Sequence, residues 1–394
     1  MDLFEKCINY TDAREAIAAG YYPYFHALES GQDTEVTIDG KRIIMIGSNN
    51  YMGLTSHPRT IQAAKDALDK YGTGCSGSRF LNGTLDLHQQ LEEELAEYFN
   101  KEAALTFSTG FQTNLGIISC IVGWHDYIIN DSENHASIRD ACRLSFAKKT
   151  VKYEHGDMED LKRVLDRLPK DSGKLIVVDG VFSMTGEIVD LPSIVKLAKE
   201  YGARIMVDDA HGMGMIGDCG RGTANYFGLE DEVDIIMTTF SKSMASLGGC
   251  IAASDDVIHY VRHKSRPFIF SASMPPANAA AALEAIRIIK NEPKRVTDLL
   301  AISQYMRDKL QEANIPIIDG ETAIIPILTY DTMRTFHITK RLLEEGVYVN
   351  PVIPPAVPEG QCLLRTSYTA THTKEQMDTA VEAIKRVFAE VQTA

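Results

Sequence analysis

The sequence lacks the features that mark membrane-spanning, secreted and nucleic-acid-binding proteins. No stretch approaches the ~18 consecutive apolar residues of a membrane helix, and the first residues show no basic-then-apolar leader pattern. The 40 Lys and Arg residues are outnumbered by 54 Asp and Glu, and the resulting net charge of −14 disfavours nucleic acid and anionic membranes as primary partners. We therefore expect a cytoplasmic protein without an integral membrane segment.

Paired cysteine motifs are also missing. The seven cysteines are scattered at positions 7, 75, 120, 142, 219, 250 and 362, and no two of them form a Cys-x-x-Cys pair. An odd, dispersed set of this kind is typical of reduced proteins, and it argues against both a disulfide scaffold and a cysteine zinc site. We assign no metal site.

The chain is long enough for one large and one small domain. Its 394 residues include 44% hydrophobic residues, which is ample for sizeable cores. Predicted strands recur roughly every 25 to 35 residues with helices between them, a pattern that favours right-handed βαβ units and a mainly parallel sheet. We expect a helix and hairpin segment at 1–45, a large domain at 46–290 and a small C-terminal α/β domain at 291–394.

Two short apolar runs are followed by residues that can carry chemistry. The run 204–207 leads into Asp208 and His211, and the run 234–239 leads into Lys242. Ligands of open parallel sheets bind outside the carboxyl ends of the strands. We therefore expect this carboxylate, imidazole and ammonium to meet in one crevice.

That set of groups suits pyridoxal 5′-phosphate (PLP). PLP needs a lysine for its aldehyde, an acid that keeps its pyridine nitrogen protonated and a donor near its phenolic oxygen. Lys242, Asp208 and His211 are the respective candidates. The turn at Gly110 and Phe111 begins a helix after a predicted strand, and free N–H groups at such a turn attract an anion. We assign the cofactor phosphate to this turn.

A second glycine-rich segment has the pattern of a dinucleotide-binding motif but not the structural context that this motif requires. Residues 72–77 read Gly-x-Gly-x-x-Gly, the pattern of dinucleotide-binding proteins. That motif requires a preceding strand, whereas this segment follows a predicted helix. A nucleotide-binding oxidoreductase is therefore disfavoured, while a PLP aminotransferase or lyase remains an alternative.

The segments 207–212 and 239–243 together resemble the α-oxoamine synthase family. Its members are PLP enzymes of the aspartate-aminotransferase fold (fold type I) that condense an amino acid with an acyl-CoA. Segments 72–80, 239–243 and 354–358 are most similar to those of the soluble bacterial serine palmitoyltransferases, a branch of the family. The resemblance implies an α/β fold with a mainly parallel sheet in a large domain and a small C-terminal domain.

The same resemblance implies the reaction and the partners. L-serine and a long-chain acyl-CoA (palmitoyl-CoA) would give 3-oxosphinganine, CoA and CO2, the first step of sphingolipid synthesis, in a homodimer with shared active sites. Glycine C-acetyltransferase and amino-oxononanoate synthase activities remain alternatives within the family.

Individual roles follow from the matching positions. His135 would stack on the cofactor ring and act with Lys242, Asp208 and His211 in catalysis, while Asn50 and Arg365 would hold the substrate carboxylate. An arginine also suits that task chemically, because its guanidinium binds a carboxylate through two parallel hydrogen bonds. The implied cofactor contacts are Gly110, Phe111, His135, Ser183, Asp208, His211, Thr239, Ser241, Lys242 and, from the neighbouring subunit, Ser271 and Ser273.

Overall fold

The computed structural model describes residues 2–392. Its strands are β1 (Glu35–Ile38), β2 (Lys41–Met45), β3 (Ala103–Phe107), β4 (Tyr127–Asp131), β5 (Lys149–Tyr153), β6 (Lys174–Asp179), β7 (Arg204–Asp208), β8 (Ile235–Thr239), β9 (Gly249–Ala253), β10 (Ile324–Tyr330), β11 (Val347–Tyr348), β12 (Asn350–Val352) and β13 (Cys362–Ser367).

Its α-helices are α1 (Glu5–Ile8), α2 (Asp12–Ala18), α3 (Pro58–Tyr71), α4 (Asp86–Tyr98), α5 (Gly110–Ile121), α6 (Ala136–Leu144), α7 (Met158–Asp166), α8 (Leu191–Tyr201), α9 (Thr223–Tyr226), α10 (Asp255–Lys264), α11 (Arg266–Ile269), α12 (Pro276–Asn291), α13 (Lys294–Glu312), α14 (Thr332–Glu344) and α15 (Lys374–Gln392). Within residues 2–392, none of these helices combines the length and the apolar character that crossing a membrane requires.

Seven of these strands form the central sheet, in the order β3-β9-β8-β7-β6-β4-β5. The strands from β5 to β8 run parallel to one another, and β9 is antiparallel to both of its neighbours. The predicted mainly parallel sheet is therefore confirmed. Its parallel strands bring the carboxyl ends of β4, β6, β7 and β8 to one edge.

Alternate residues of the central strands enter two hydrophobic clusters on opposite faces of this sheet. In β6, Ile176 and Val178 belong to one cluster, whereas Leu175 and Val177 belong to the other. Side chains of a strand point alternately to the two faces, so both faces of β6 are buried beneath helices. This double burial explains why the strand reads as an uninterrupted apolar run.

Two smaller sheets lie outside the central one. One has the order β1-β2-β11 and the other β10-β13-β12. The predicted hairpin around Asp39 and Gly40 is confirmed, and its second strand pairs in parallel with β11. The N-terminal hairpin thus joins strands of the C-terminal part of the chain, while the boundaries at 45 and 290 stay a prediction.

The expectation of one helix in the segment 1–45 is wrong. The structure has two short helices there, α1 and α2, and none of their residues is buried. Helices this short gain most of their stability from packing an apolar face against other elements. Neither helix has a buried face within the described chain, so packing does not favour one long helix here.

Asp209 shapes the loop that leaves β7 and so orients its neighbour Asp208. It is fully buried, and its carboxylate accepts hydrogen bonds from the N–H (2.7 Å) and the hydroxyl (2.6 Å) of Thr223. The backbone at Gly212 and Gly222 passes so close that a Cβ on either would overlap the carboxylate. Burial raises the pKa of Asp209 to about 7, against the lowering effect of the Thr223 bonds.

The raised pKa of Asp209 predicts how stability depends on pH. Its folded value of about 7 exceeds the ordinary value of 3.8, so its contribution to stability is present below about pH 4 and is lost as pH rises through about 7. Asp209→Asn removes this dependence but also removes one acceptor from Thr223. At pH 5 we expect the free energy of unfolding of the variant to be lower than that of the wild type. This difference should shrink towards pH 8, by about 1.4 kcal/mol per pH unit at most.

Urea unfolding at several pH values measures this difference. Asp171→Asn, which changes an exposed carboxylate, serves as the control and should show no such trend. A deficit for Asp209→Asn that stays constant between pH 5 and pH 8 would contradict the assignment.

Candidate active site

A cavity of about 260 Å³ lies at the carboxyl edge of the central sheet. It is bounded by the ends of β6, β7 and β8 and by the first turns of α5 and α6. Most of the predicted site residues line it. They are Gly110, Phe111, His135, Ser183, Asp208, His211, Thr239, Ser241 and Lys242.

Asp208 is held rigidly at the end of β7. One carboxylate oxygen, Oδ1, accepts the backbone N–H of Ala210 at 3.0 Å, and the other, Oδ2, accepts a hydrogen bond from Nδ2 of Asn114 at 2.7 Å. The residue is only 4% exposed and lines the cavity. A fixed, buried carboxylate of this kind favours a protonated nitrogen placed against it.

Lys242 offers an amine with an altered proton affinity to the same cavity. Burial, together with the charge of Arg365, lowers its pKa to about 8, although Asp208 and Asp179 act in the opposite direction. Its Nζ donates no hydrogen bond to any residue that the structure describes. A lysine desolvated in this way is a better nucleophile and base near neutral pH than an exposed one.

His211 reaches the cavity with one ring nitrogen already engaged. Its Nδ1 lies 2.8 Å from the hydroxyl of Tyr51, which also accepts a hydrogen bond from Nη2 of Arg365 at 3.2 Å. Burial, followed by the charges of Lys242 and Arg365, lowers the pKa of His211 well below its ordinary value. His211 is therefore a neutral imidazole whose Nε2 is left for a group in the cavity.

The first turn of α5 has the form of an anion site. Thr109 caps the helix by accepting the N–H of Gln112 at 3.1 Å, which leaves the N–H groups of Gly110 and Phe111 without acceptors among the described residues. A Cβ on Gly110 would lie 2.6 Å from Oγ1 of Thr239, so only glycine fits there. The hydroxyl of Ser241 lies 3.0 Å from that same Oγ1. Free N–H groups at a helix N-terminus together with hydroxyls suit a phosphate.

His135 caps the N-terminus of α6 beside this cavity. Its Nδ1 lies 2.7 Å from Oγ of Ser137, and its backbone N–H donates to Oδ2 of Asp179 at 3.0 Å. Burial lowers the pKa of His135, and the charges of Lys242 and Arg139 lower it further, while Asp208 opposes them. The ring thus borders the cavity as an uncharged imidazole, where the resemblance places a stacking residue.

Arg365 lies directly behind the cavity on β13. Its Nε donates to the carbonyl of Ser183 at 2.5 Å, and its other nitrogens reach Ser367 (3.4 Å) and Tyr51. It is 5% exposed, and no carboxylate of the described chain forms an ion pair with it. A buried guanidinium with only neutral acceptors is electrostatically unsatisfied, so it suits an incoming carboxylate. Its predicted role stays a prediction.

Like Arg365, the residues Asn50, Ser271 and Ser273 are not among those that line the cavity. Oδ1 of Asn50 accepts the N–H groups of Leu54 (3.1 Å) and Thr55 (3.4 Å), which is turn chemistry. Ser273 bonds the carbonyl of Gly77 through its N–H (2.9 Å) and its hydroxyl (3.1 Å). The roles predicted for these three residues, two of which depend on a neighbouring subunit, stay predictions.

Four residues of the site went unpredicted, namely Tyr51, Asn114, Ser137 and Asp179. Asp179 is the last residue of β6, as Asp208 is of β7, so the same strand-end signal could have identified it. Its Oδ1 has no partner in the described chain, and burial together with the charge of Asp208 raises its pKa well above the ordinary value. Asn114 lies one helical turn after Gly110 on α5, and nothing in the local sequence distinguishes it from a surface amide.

Comparison with known proteins identifies the family of this chain. The model of the family described as aminotransferase class I and II matches residues 41–384. The chain belongs to this family. A serine palmitoyltransferase of Sphingobacterium spiritivorum is 53% identical over 98% of this chain and 96% of its own. An 8-amino-7-oxononanoate synthase of Lysinibacillus sphaericus is 45% identical over 91% of this chain and 92% of its own.

Solved structures of the family have the same architecture. A Sphingomonas wittichii serine palmitoyltransferase superposes with a TM-score of 0.96 at 38% identity, covering 100% of both chains. A further serine palmitoyltransferase, solved with PLP, also has a TM-score of 0.96, at 36% identity with 100% of both chains covered. The predicted fold type I architecture is therefore confirmed.

The lowered pKa of Lys242 predicts where and how PLP attaches. When PLP is added to the protein and the product is reduced with borohydride, we expect peptide mapping to find the label on Lys242. The initial rate of attachment should rise as pH increases through about 8, because the unprotonated amine is the nucleophile.

Lys101 provides the matched control for this experiment. Burial lowers its pKa as well, but its Nζ donates to the carbonyls of Glu230 (2.6 Å) and Val233 (2.7 Å). Lys101→Ala should label like the wild type, and Lys242→Ala should not label. A label on another lysine would refute the assignment.

Proposed function

We propose that the protein is a PLP-dependent acyltransferase that condenses L-serine with palmitoyl-CoA. The products are 3-oxosphinganine, CoA and CO2, and the reaction is the first step of sphingolipid synthesis. The observation that carries this proposal is the convergence of Asp208, Lys242 and the α5 N-terminus on one cavity. The 53% identity to a serine palmitoyltransferase supports the choice of substrates.

The residues that line the cavity fit PLP. Gly110 and Phe111 offer free N–H groups for its phosphate, Asp208 offers a charge for its ring nitrogen, and Lys242 offers an amine for its aldehyde. The Oδ1 atoms of Asn114 and Asp179 are buried in the cavity wall without a hydrogen-bond partner, and a polar ligand would supply one. When bound, PLP supplies an electron sink for negative charge at the Cα atom of an amino acid.

Holding and deprotonating the serine fall to this chain's own residues. Arg365, which has no carboxylate partner in the described chain, binds the serine carboxylate and so fixes which Cα bond is aligned for cleavage. Nζ of Lys242 then takes the proton from Cα. With a pKa of about 8 the amine is close to the working pH, which is where a general base is most effective.

A second cavity adjoins the first and supports a long-chain acyl substrate. It has a volume of about 630 Å³ and shares Ser183 with the first cavity. Apolar side chains form much of its wall, among them Phe182, Met184 and Leu328, together with the proline-rich loop 354–358. Burying an acyl chain contributes about 0.8 kcal/mol per CH2 group. We propose that the acyl chain of the thioester lies here.

The proposal includes a cytoplasmic homodimer with shared active sites. Large apolar side chains are exposed in the single chain, including Phe111 (47%), which lines the cavity, Phe270 (75%) and Leu81 (76%). Patches of this kind often mark interaction surfaces. Pairing of two copies through them would bring Ser271 and Ser273 of one copy towards the cofactor phosphate of the other.

An 8-amino-7-oxononanoate synthase activity is the second candidate, favoured by the 45% identity to such an enzyme. Its product implies condensation of alanine with the thioester of a seven-carbon diacid, because the amino carbon bears a methyl group and the far end bears a carboxylate. Arg139 lines the second cavity and could pair with that carboxylate. The two candidates therefore differ in both substrates.

A substrate panel tests the proposed function. We expect CoA release, with matching CO2, from L-serine and palmitoyl-CoA. Pimeloyl-CoA with L-alanine should react at least tenfold more slowly, because its shorter chain buries fewer CH2 groups against the apolar part of the wall than a palmitoyl chain does. Thiol detection measures CoA, and labelled carboxyl carbon measures CO2. Faster turnover of alanine with pimeloyl-CoA would favour the second candidate, and amino-group transfer without CoA release would contradict both.

A further inference from the structure

Four residues that line the first cavity, Asp208, Asn114, Ser137 and His135, form one continuous hydrogen-bonded network. Nδ2 of Asn114 lies 2.7 Å from Oδ2 of Asp208 and 2.9 Å from Oγ of Ser137. That Oγ lies 2.7 Å from Nδ1 of His135. Asn114 and Ser137 are each only 1% exposed, so water does not compete for these bonds. The network ends at Asp208 on one side and at His135 on the other.

The direction of the bonds made by Asn114 follows from its chemistry. The side-chain amide nitrogen carries two hydrogens and accepts no hydrogen bond, so Asn114 donates to Asp208 and to Ser137. The opposite orientation of the amide would set its oxygen against a carboxylate oxygen, where neither can donate. Ser137 Oγ therefore accepts from Asn114, and its own hydrogen is left for His135.

The tautomer of His135 is then determined. Nδ1 accepts from the Ser137 hydroxyl, and the backbone N–H of Ser137 points at the same nitrogen from 3.3 Å. Two donors directed at Nδ1 require that it carry a lone pair, because a ring nitrogen that bears hydrogen cannot accept. The hydrogen of the neutral ring is therefore on Nε2, which has no hydrogen-bond partner in the described part of the chain.

We propose that Asn114 and Ser137 are positioning residues that lock His135 as the Nε2–H tautomer and hold Asp208 through the same amide. The inference rests on the proposed function only in taking His135 and Asp208 as active-site groups. His135 thus offers a hydrogen-bond donor, not an acceptor, to a bound oxyanion. Because one amide serves both ends, the position of Asp208 and the orientation of His135 are coupled.

The tautomer can be measured directly. In the full-length protein labelled with ¹⁵N-histidine, with and without PLP, the two ring nitrogens of neutral His135 give distinct NMR shifts, which the His135→Gln spectrum assigns. We expect the wild type to carry its hydrogen on Nε2. Ser137→Ala removes the hydroxyl donor and should shift the tautomer ratio towards Nδ1–H by roughly fivefold, the equivalent of one neutral hydrogen bond.

Ser145→Ala is the matched control. Ser145 caps the other end of the same helix, α6, and its hydroxyl donates to the carbonyl of Cys142 at 2.7 Å. This variant should leave the His135 shifts as in the wild type. At the Asp208 end of the hydrogen-bonded network, Asn114→Ala should weaken PLP binding about tenfold, because Asp208 loses a charged hydrogen bond.

Several results would overturn the proposal. A wild-type spectrum that places the hydrogen of His135 on Nδ1 would overturn it, even if Ser137→Ala fails to fold. An unchanged tautomer ratio in folded Ser137→Ala, or unchanged PLP affinity in folded Asn114→Ala, does so as well. These outcomes are independent of turnover, so they are distinct from a failure of the wild type to condense serine with palmitoyl-CoA.

Discussion

The site depends on burying charges of both signs at one edge of a parallel sheet. Two cations, Lys242 and Arg365, face two carboxylates, Asp179 and Asp208, where little solvent screens them. Burial lowers the pKa of Lys242 to about 8 and raises that of Asp179 well above its ordinary value. Asp208 is stabilised by two hydrogen-bond donors. The pocket therefore contains a fixed negative charge beside an amine that can lose its proton near neutral pH.

The rest of the fold serves to place these groups. Strands β6, β7 and β8 end at the same edge, so the residues that follow them converge although they are far apart in sequence. Arg365 comes from a separate small sheet, and its bonds to Ser183 and Tyr51 connect the C-terminal part of the chain to the pocket. Any motion of the small sheet relative to the central one would carry the guanidinium with it.

The sequence predicted Asp208 and Lys242 at strand ends but missed Asp179, which ends β6 in the same way. It also missed residues whose role depends on tertiary contacts. Apolar runs ending in polar residues located Asp208 and Lys242, because strand direction and sheet topology determine where such residues meet. Asn114 acts through Asp208, and Tyr51 acts through His211 and Arg365. Each of these partners is more than 90 residues away in the sequence. No local pattern encodes pairings of that kind. Local propensity also failed near the N-terminus, where it predicted one helix and the structure has two.

The central claim is that the buried charge of Asp208 stabilises negative charge at Cα of the bound amino acid. Exchange of the serine Cα proton in D2O, followed by ¹H NMR without acyl-CoA, isolates that step from the later ones. Asp208→Asn keeps the size of the side chain and removes its charge. Losing a preorganised charge of this kind costs on the order of 3–4 kcal/mol, so exchange should slow by about 10²–10³-fold while PLP remains bound. Exchange at the wild-type rate in a PLP-loaded Asp208→Asn protein would contradict the account.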